Sequence, residues 1–208
     1  MAITNYSELQ TAVANWLARA DMGARIPECI ALCEARFNRV LFVAGMEKRA
    51  HTITTVTTEY VQLPADFSAA RNFQLVTDPV TVLEAMAPEW ADKYFGGVPG
   101  KPHYYAIVGD EFQLIPPPDA AYQLELDYWA NLAALSNTNT TNWALINAPD
   151  MYLAGTMVEA CYLIQAAPAK IALWEERFQK ALKDVQSDSD TRRWPSSGMQ
   201  MRSSVVIP

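Results

Sequence analysis

The sequence predicts an α+β fold: a four-helix body of two N-terminal and two C-terminal helices, an inserted antiparallel β region, and an extended C-terminal arm. Three observations carry this. Apolar residues recur at helical spacing over the first forty-odd residues and again from about 149 to 185, with strand spacing between them. The middle is rich in Thr, Val and Tyr, and its prolines and glycines exclude long helices. After Gln186 neither period persists until a final VVI. The expected division is 1–45 with 142–186 for the helical body, 46–141 for the β-rich insertion and 187–208 for the arm.

In the first helix Tyr6, Leu9, Val13, Trp16, Leu17 and Ala20 form the apolar stripe, with Glu8, Gln10 and Arg19 outside it. Thr4, Asn5 or Ser7 supplies its N-cap, and Gly23 is a suitable stop. The second helix has Pro27 near its first position and a stripe of Ile26, Ile30, Cys33, Phe37, Val40 and Leu41. Strands are expected near 47–55, 59–63, 71–76, 80–84, 103–108, 111–115 and 121–130, with a short helix at about 87–95. In the last strand Tyr122, Leu124, Leu126 and Tyr128 share one face and Gln123, Glu125 and Asp127 the other, so one face is buried and one wet. GKPHYYAIVGDEFQLIPPPD (100–119) reads as a hairpin turning at Gly109-Asp110, with Pro116 to Pro118 stiffening its exit.

The polar linker SNTNTTNW (136–143) leads to the third helix, with Asn147 a plausible cap before Pro149. Met151 to Gln165 is apolar nearly all round, as a central buried helix must be, and Ala154, Gly155 and Ala160 admit a close neighbour. Pro168 opens a fourth helix with the stripe Ile171, Trp174, Phe178, Ala181, Leu182 and Val185, and Glu176 and Lys180 on its outer face.

The net charge of −7 argues against a nucleic-acid reader, which needs a basic face, yet suits a surface past which DNA slides. No signal peptide and no membrane-spanning run is expected, and three cysteines without disulfide-framework spacing fit folding in a reducing cytosol. Cys29 and Cys33 lie four apart on one helical face, but neither His51 nor His103 brings a second ligand, so they read as core thiols. His103 near Asp110 and Glu111 has no G-x-S-x-G nucleophile to serve. FGGVPGKP lacks phosphate-loop spacing. Of the carboxylate pairs, Glu175–Glu176 sits on a solvated helix face and Asp188/Asp190 in the arm. Glu89/Asp92, beside Trp90, Tyr94 and Phe95, is the one pair that would line a sugar cleft. No catalytic residue, cofactor or metal is expected.

From Thr191 onward the arm carries Arg192, Arg193 and Arg202 and no acidic side chain. Arg, Trp194 and an extended Val205, Val206, Ile207 segment suit an arm that orders on a partner.

Several stretches resemble tailed-phage head–tail adaptor (connector, tail-tubular-A-like) proteins. They are YSELQTAVANWLARAD with IPECIALCEARFNRVL, YVQLPADFSAARNFQL, the GKPHYYAIVGDEFQLIPPPD run with its continuation, TNWALINAPDMYLAGTMVEACYLI, and LWEERFQKALKDVQ. The resemblance spans about residues 3 to 186, with LPADF (63–67) among its most specific elements. It implies a virion protein made in the host cytoplasm and sited at the head–tail junction, with no membrane association. Such a protein forms a homo-oligomeric ring of twelve copies below the portal, joins it to a tail or nozzle protein, and lets genome DNA pass as cargo. The arm residues Arg192, Arg193, Trp194, Arg202, Val205, Val206 and Ile207 are the candidates for contact with portal or a neighbouring subunit. Gly109, Asp110, Glu111, Trp90 and Tyr94 are the candidates for docking a tail or nozzle protein. The residues alone leave two other classes open: a peptidoglycan-degrading glycosidase using Glu89 and Asp92, or a carbohydrate-binding module on the β region.

Overall fold

The computed structural model describes residues 3–90 and 97–193. The chain is α+β and divides into two compact units, one of residues up to Met46 and from Leu132 onward, the other of Glu47–Asn131.

In the helical unit, α1 (Tyr6–Leu17) starts at Asn5, whose side chain accepts the Glu8 N–H at 3.0 Å. Glu8 reaches back to the Thr4 N–H and hydroxyl, both at 2.7 Å, and these bonds hold its carboxyl below the usual carboxylate value. The helix does not run on to Gly23: Ala18 ends it in the left-handed conformation (φ 53°), and a 3₁₀ turn, Ala20–Met22, follows. Turning early lets the chain bury Met22. Helix α2 (Ile26–Val40) buries Ile26, Cys29, Ile30, Cys33 and Phe37, while Val40 stays exposed.

A short α3 (Trp143–Asn147), absent from the sequence expectation, is capped by Asn142. Ala148, not Asn147, then occupies the cap position of α4 (Pro149–Leu163). Helix α4 is the centre of the unit, with α1, α2, α3 and the long α5 (Pro168–Arg193) packed on it. Gly155 makes this possible: a Cβ there would lie 2.5 Å from Cys33 Sγ and 3.2 Å from the Phe178 ring. Phe37 meets Tyr152 edge-on at 4.8 Å and stacks on Phe178 at 5.9 Å, joining α2, α4 and α5. Arg36 forms a two-bond fork with Glu175 and lies 4.4 Å over Phe178, which keeps the Glu175 carboxyl below its ordinary value.

The helix α5 passes the expected end at 186 and continues to Arg193. Its last two turns have no apolar stripe. They are held instead by Ser189, buried, whose Oγ accepts the Ala44 N–H at 2.8 Å, and by an Asp188–Arg192 ion pair at 2.9 Å.

The other unit contains two four-stranded sheets. One has the order β1 (Glu47–Ile53), β8 (Gln123–Ala130), β3 (Phe67–Leu75), β4 (Thr81–Val82). The second has β2 (Tyr60–Gln62), β7 (Glu111–Ile115), β6 (Tyr104–Val108), β5 (Glu84–Ala85). All pairs are antiparallel except β5 with β6, so the second sheet is mixed. Strand β3 starts at Phe67, earlier than its Ala-rich sequence suggests, with register shifts at 67–69 and 70–72. On β8, Leu124, Leu126, Tyr128 and Ala130 are buried with Phe73, Leu75, Phe112 and Leu114. Its other face is a polar ladder in which Arg49 donates to Asp127 at 2.6 Å and Gln74 to Glu125 at 3.0 Å. Strand β7 departs from one-sided burial, because Ile115 packs with Ala106 in a second small cluster. Of the expected helix at 87–95, residues 88–90 are helical and 91–96 lie outside the described residues.

Candidate docking surfaces

The hairpin of β6 and β7 pairs Val108 with Glu111 across the two-residue turn Gly109-Asp110. Gly109 has φ +61°, a conformation that suits glycine at the first central position of a type II′ turn. The tip is tied down by the start of LPADF. The Asp110 carbonyl accepts the Leu63 N–H at 3.0 Å and Gln62 Nε2 at 2.9 Å. The rest of the motif is anchored too: Phe67 packs edge-on against Phe112 at 5.5 Å and stacks on Tyr128 at 5.9 Å. Asp66 accepts from Lys48 and, at 2.8 Å, from the Tyr128 hydroxyl. Burial opposes ionisation of Asp66, but those bonds hold its carboxyl below the usual value, and burial beside this anion pushes Tyr128 up to about 12. A cavity of about 530 Å³ lies between this motif and the tip, walled by Leu63, Pro64, Phe67, Ile107, Gly109 and Asp110. Ile107 and Val108 stand exposed beside it. The turn is therefore a rigid, partly apolar projection within its unit.

The other tip candidates are less closely grouped in what can be described. Glu111 is half-buried and pairs with Gln62 across β2 and β7. Trp90 is 52% exposed, and Tyr94 lies outside the described residues. His103 is exposed, and its backbone bonds Ile115 and Glu84. Glu89 is exposed, and its supposed partner Asp92 is outside the described residues. Cys29 and Cys33 are buried, and burial pushes both thiols up, which disfavours the thiolate. Among the described residues no cluster of His, Cys, Asp and Glu has the makings of a metal site.

Of the arm candidates, Arg192 is exposed and paired with Asp188, and Arg193 closes α5. Trp194, Arg202, Val205, Val206 and Ile207 lie outside the described residues.

Two features of the helical unit escape a sequence reading. The first is a buried polar node. Glu34 Oε1 accepts the Leu135 N–H at 2.9 Å and the Tyr152 hydroxyl at 3.0 Å. Asn142 Nδ2 donates to that hydroxyl and to the Ala133 carbonyl, and its Oδ1 caps α3. Asn38 accepts the Leu132 N–H at 2.8 Å. Together these bonds pin segment 132–135 to α2, and burial raises the Glu34 carboxyl. The second feature is a groove of about 370 Å³ between α4 and α5, with Trp16, Leu153 and Trp174 at its apolar end. The sequence placed Trp16 on the core stripe, yet it is 54% exposed, with its ring perpendicular to that of Trp174 at 5.5 Å.

Among the described residues no helix is long and apolar enough to cross a membrane. A family model described as SU10 adaptor protein matches residues 4–202 of the chain. No curated protein matches it.

Proposed function

The chain belongs to the SU10 adaptor protein family, a phage head–tail adaptor family, and we propose that it forms the ring beneath the portal and joins it to the tail. It is a phage structural adaptor and a virion component, and family membership implies a non-enzymatic role. The observation that carries the finer reading is the extent of the match, which takes in both units and the first part of the arm.

In this reading the helical body, with α1, α2, α4 and α5 as its four main helices, faces the portal side, and the β unit is an insertion that faces the tail. A ring needs two different complementary faces on each subunit, repeated until the circle closes. Each interface has to bury more than about 1,000 Å² to persist. Leu32, Ile146, Tyr162 and Leu173, 48–64% exposed on the helical unit, are the apolar material for it. The stiff Gly109-Asp110 tip, with Glu111 and Trp90, offers the tail a projection that loses little entropy on docking. The arm residues from Arg192 to Ile207 dock on the portal or on a neighbouring subunit. A net charge of −7 keeps the channel wall from holding the genome.

Native mass spectrometry of the protein alone and with its portal tests this. A closed ring, of twelve copies on the portal, is expected. A monomer that persists in both conditions overturns the reading.

A further inference from the structure

The two sheets of the β unit are joined along one side and open along the other. On the joined side the chain runs from β4 straight into β5. The Leu83 N–H donates to the Phe73 carbonyl at 2.8 Å and the Glu84 N–H to that of His103 at 3.0 Å, so one segment bridges both sheets. The open side lies between β1 and β2, the outer strands of their sheets. A cleft of about 290 Å³ enters there, lined by Leu63, Phe73, Phe112, Leu124 and Leu126, with Ala50 and Thr52 on its β1 wall. The direction of the β1 backbone follows from its ladder. The Thr54 N–H bonds the Tyr122 carbonyl at 2.9 Å, and the register runs on through Thr52 with Leu124 and Ala50 with Leu126. Bonded and non-bonded pairs alternate in an antiparallel ladder, so Thr52 and Ala50 spend their N–H and C=O on β8. Arg49, His51 and Ile53 point theirs away from the sheet, and no group among the described residues bonds them. The cations at the start of this edge are already matched, Lys48 by Asp66 and Arg49 by Asp127.

We propose that the free edge of β1 takes up an extended segment of the tail-side partner as an added strand, with apolar side chains at alternate positions seated in the cleft. The backbone selects that chemistry. Arg49, His51 and Ile53 offer a donor and an acceptor about every 7 Å, a spacing that another extended polypeptide repeats. Ala50 and Thr52 share the face of Leu126 and Leu124, so every second side chain of the added strand falls over the same apolar lining. A second copy of this chain is a poorer fit. The other outer strands among the described residues, β2, β4 and β5, have three, two and two residues against the seven of β1. Two β1 strands meeting edge to edge make a two-fold pair, which closes at two copies and builds no ring. The tail side is indicated by the walls of the cleft. Gln62, Leu63 and Pro64 line both this cleft and the cavity beside the Gly109-Asp110 tip, so a segment on β1 continues onto the surface assigned to the tail. The inference rests on that assignment and adds how the partner is held.

Residue-resolved amide exchange of the full-length protein, alone and with the purified tail protein of the same virion, tests this. The Arg49, His51 and Ile53 amides should slow at least about tenfold on binding, and those of Ala50 and Thr52, already bonded to β8, should change less. His51→Pro removes one outward N–H and leaves the β8 ladder intact, a substitution that edge strands tolerate. With its fold retained by circular dichroism, it should bind the tail protein at least about tenfold more weakly. Tail binding that leaves the three amides unchanged, or that survives His51→Pro undiminished, overturns the added strand and leaves the docking role of the tip standing. No tail binding at all overturns both. Slowing of the three amides as the protein alone is concentrated makes a second copy the occupant and overturns the proposal.

Discussion

Replacing Gly155 with alanine sets two effects of opposite sign against each other. Ala is favoured over Gly in a helix interior by about 1 kcal/mol, so on propensity alone Gly155→Ala stabilises α4. The packing opposes it. The new Cβ would lie 2.5 Å from Cys33 Sγ and 3.2 and 3.3 Å from two Phe178 ring carbons. The first distance is about 1 Å inside ordinary non-bonded contact. Cys33 is fully buried on α2 and Phe178 on α5, so neither side chain has open space to retreat into. Overpacking of this kind costs about 1–3 kcal/mol, and more where backbone has to move. The expected net is a loss of about 1–2 kcal/mol, or a fall in Tm of roughly 2–8 °C for a chain of this size. Thermal and urea unfolding followed by circular dichroism measures it. The severe overlap is with Cys33 Sγ, and the Phe178 carbons need give only a few tenths of an ångström, so Gly155→Ala should be nearly neutral in a Cys33→Ala background, giving a coupling above about 1 kcal/mol. A rise in Tm for the single variant, with no coupling to Cys33, would refute the close approach of α2 and α4.

Other expectations concern the polar contacts and the hairpin. Tyr152→Phe removes the hydroxyl shared by Glu34 and Asn142 and should cost about 1–3 kcal/mol in urea unfolding. Burial raises Glu34 above the ordinary carboxylate value of 4.5, so between that value and its folded one the native state binds more protons than the unfolded chain. The Glu34 contribution to stability is therefore greatest at or below the unfolded value and is lost as pH rises through the folded one. Glu34→Gln should abolish that part of the pH slope. Glu175 has the opposite sign. The Arg36 fork lowers it, so its stabilisation is present above 4.5 and is lost as pH falls through the folded value. Both partners are partly exposed, so Glu175→Gln should cost only about 1 kcal/mol at neutral pH. Gly109→Val places a β-branched residue at φ +61° and should lower stability by about 1–2 kcal/mol, read as a lower urea midpoint, and weaken tail docking.

How much of this was legible beforehand differs by element. The hairpin at Gly109-Asp110 was written locally, in a Gly-Asp pair between two apolar runs, and it forms where expected. The alternation of β8 and the all-round apolar α4 were equally plain, and burial follows the first pattern, and the second as far as Cys161, beyond which Tyr162 and Leu163 are exposed. The end of α5 was not legible, because SDSDTRR carries no apolar stripe. A single buried serine bonded to Ala44, 145 residues away in sequence, holds that last part of the helix in place. The groove was hidden for a related reason: the Trp16 and Trp174 stripes each looked like core, and only the packing leaves one ring at the rim.

Period and turn chemistry act between residues close in sequence, so the chain by itself determined the order of helices and strands, the hairpin and the resemblance to adaptors. Partner choice acts between residues distant in sequence. The structure alone decided that β8 lies between β1 and β3, that Glu34 is buried against Tyr152 and Leu135, and that Gly155 receives Cys33 and Phe178. Each of these depends on complementary shape or on a hydrogen bond between residues more than twenty apart in the chain, which no local pattern records.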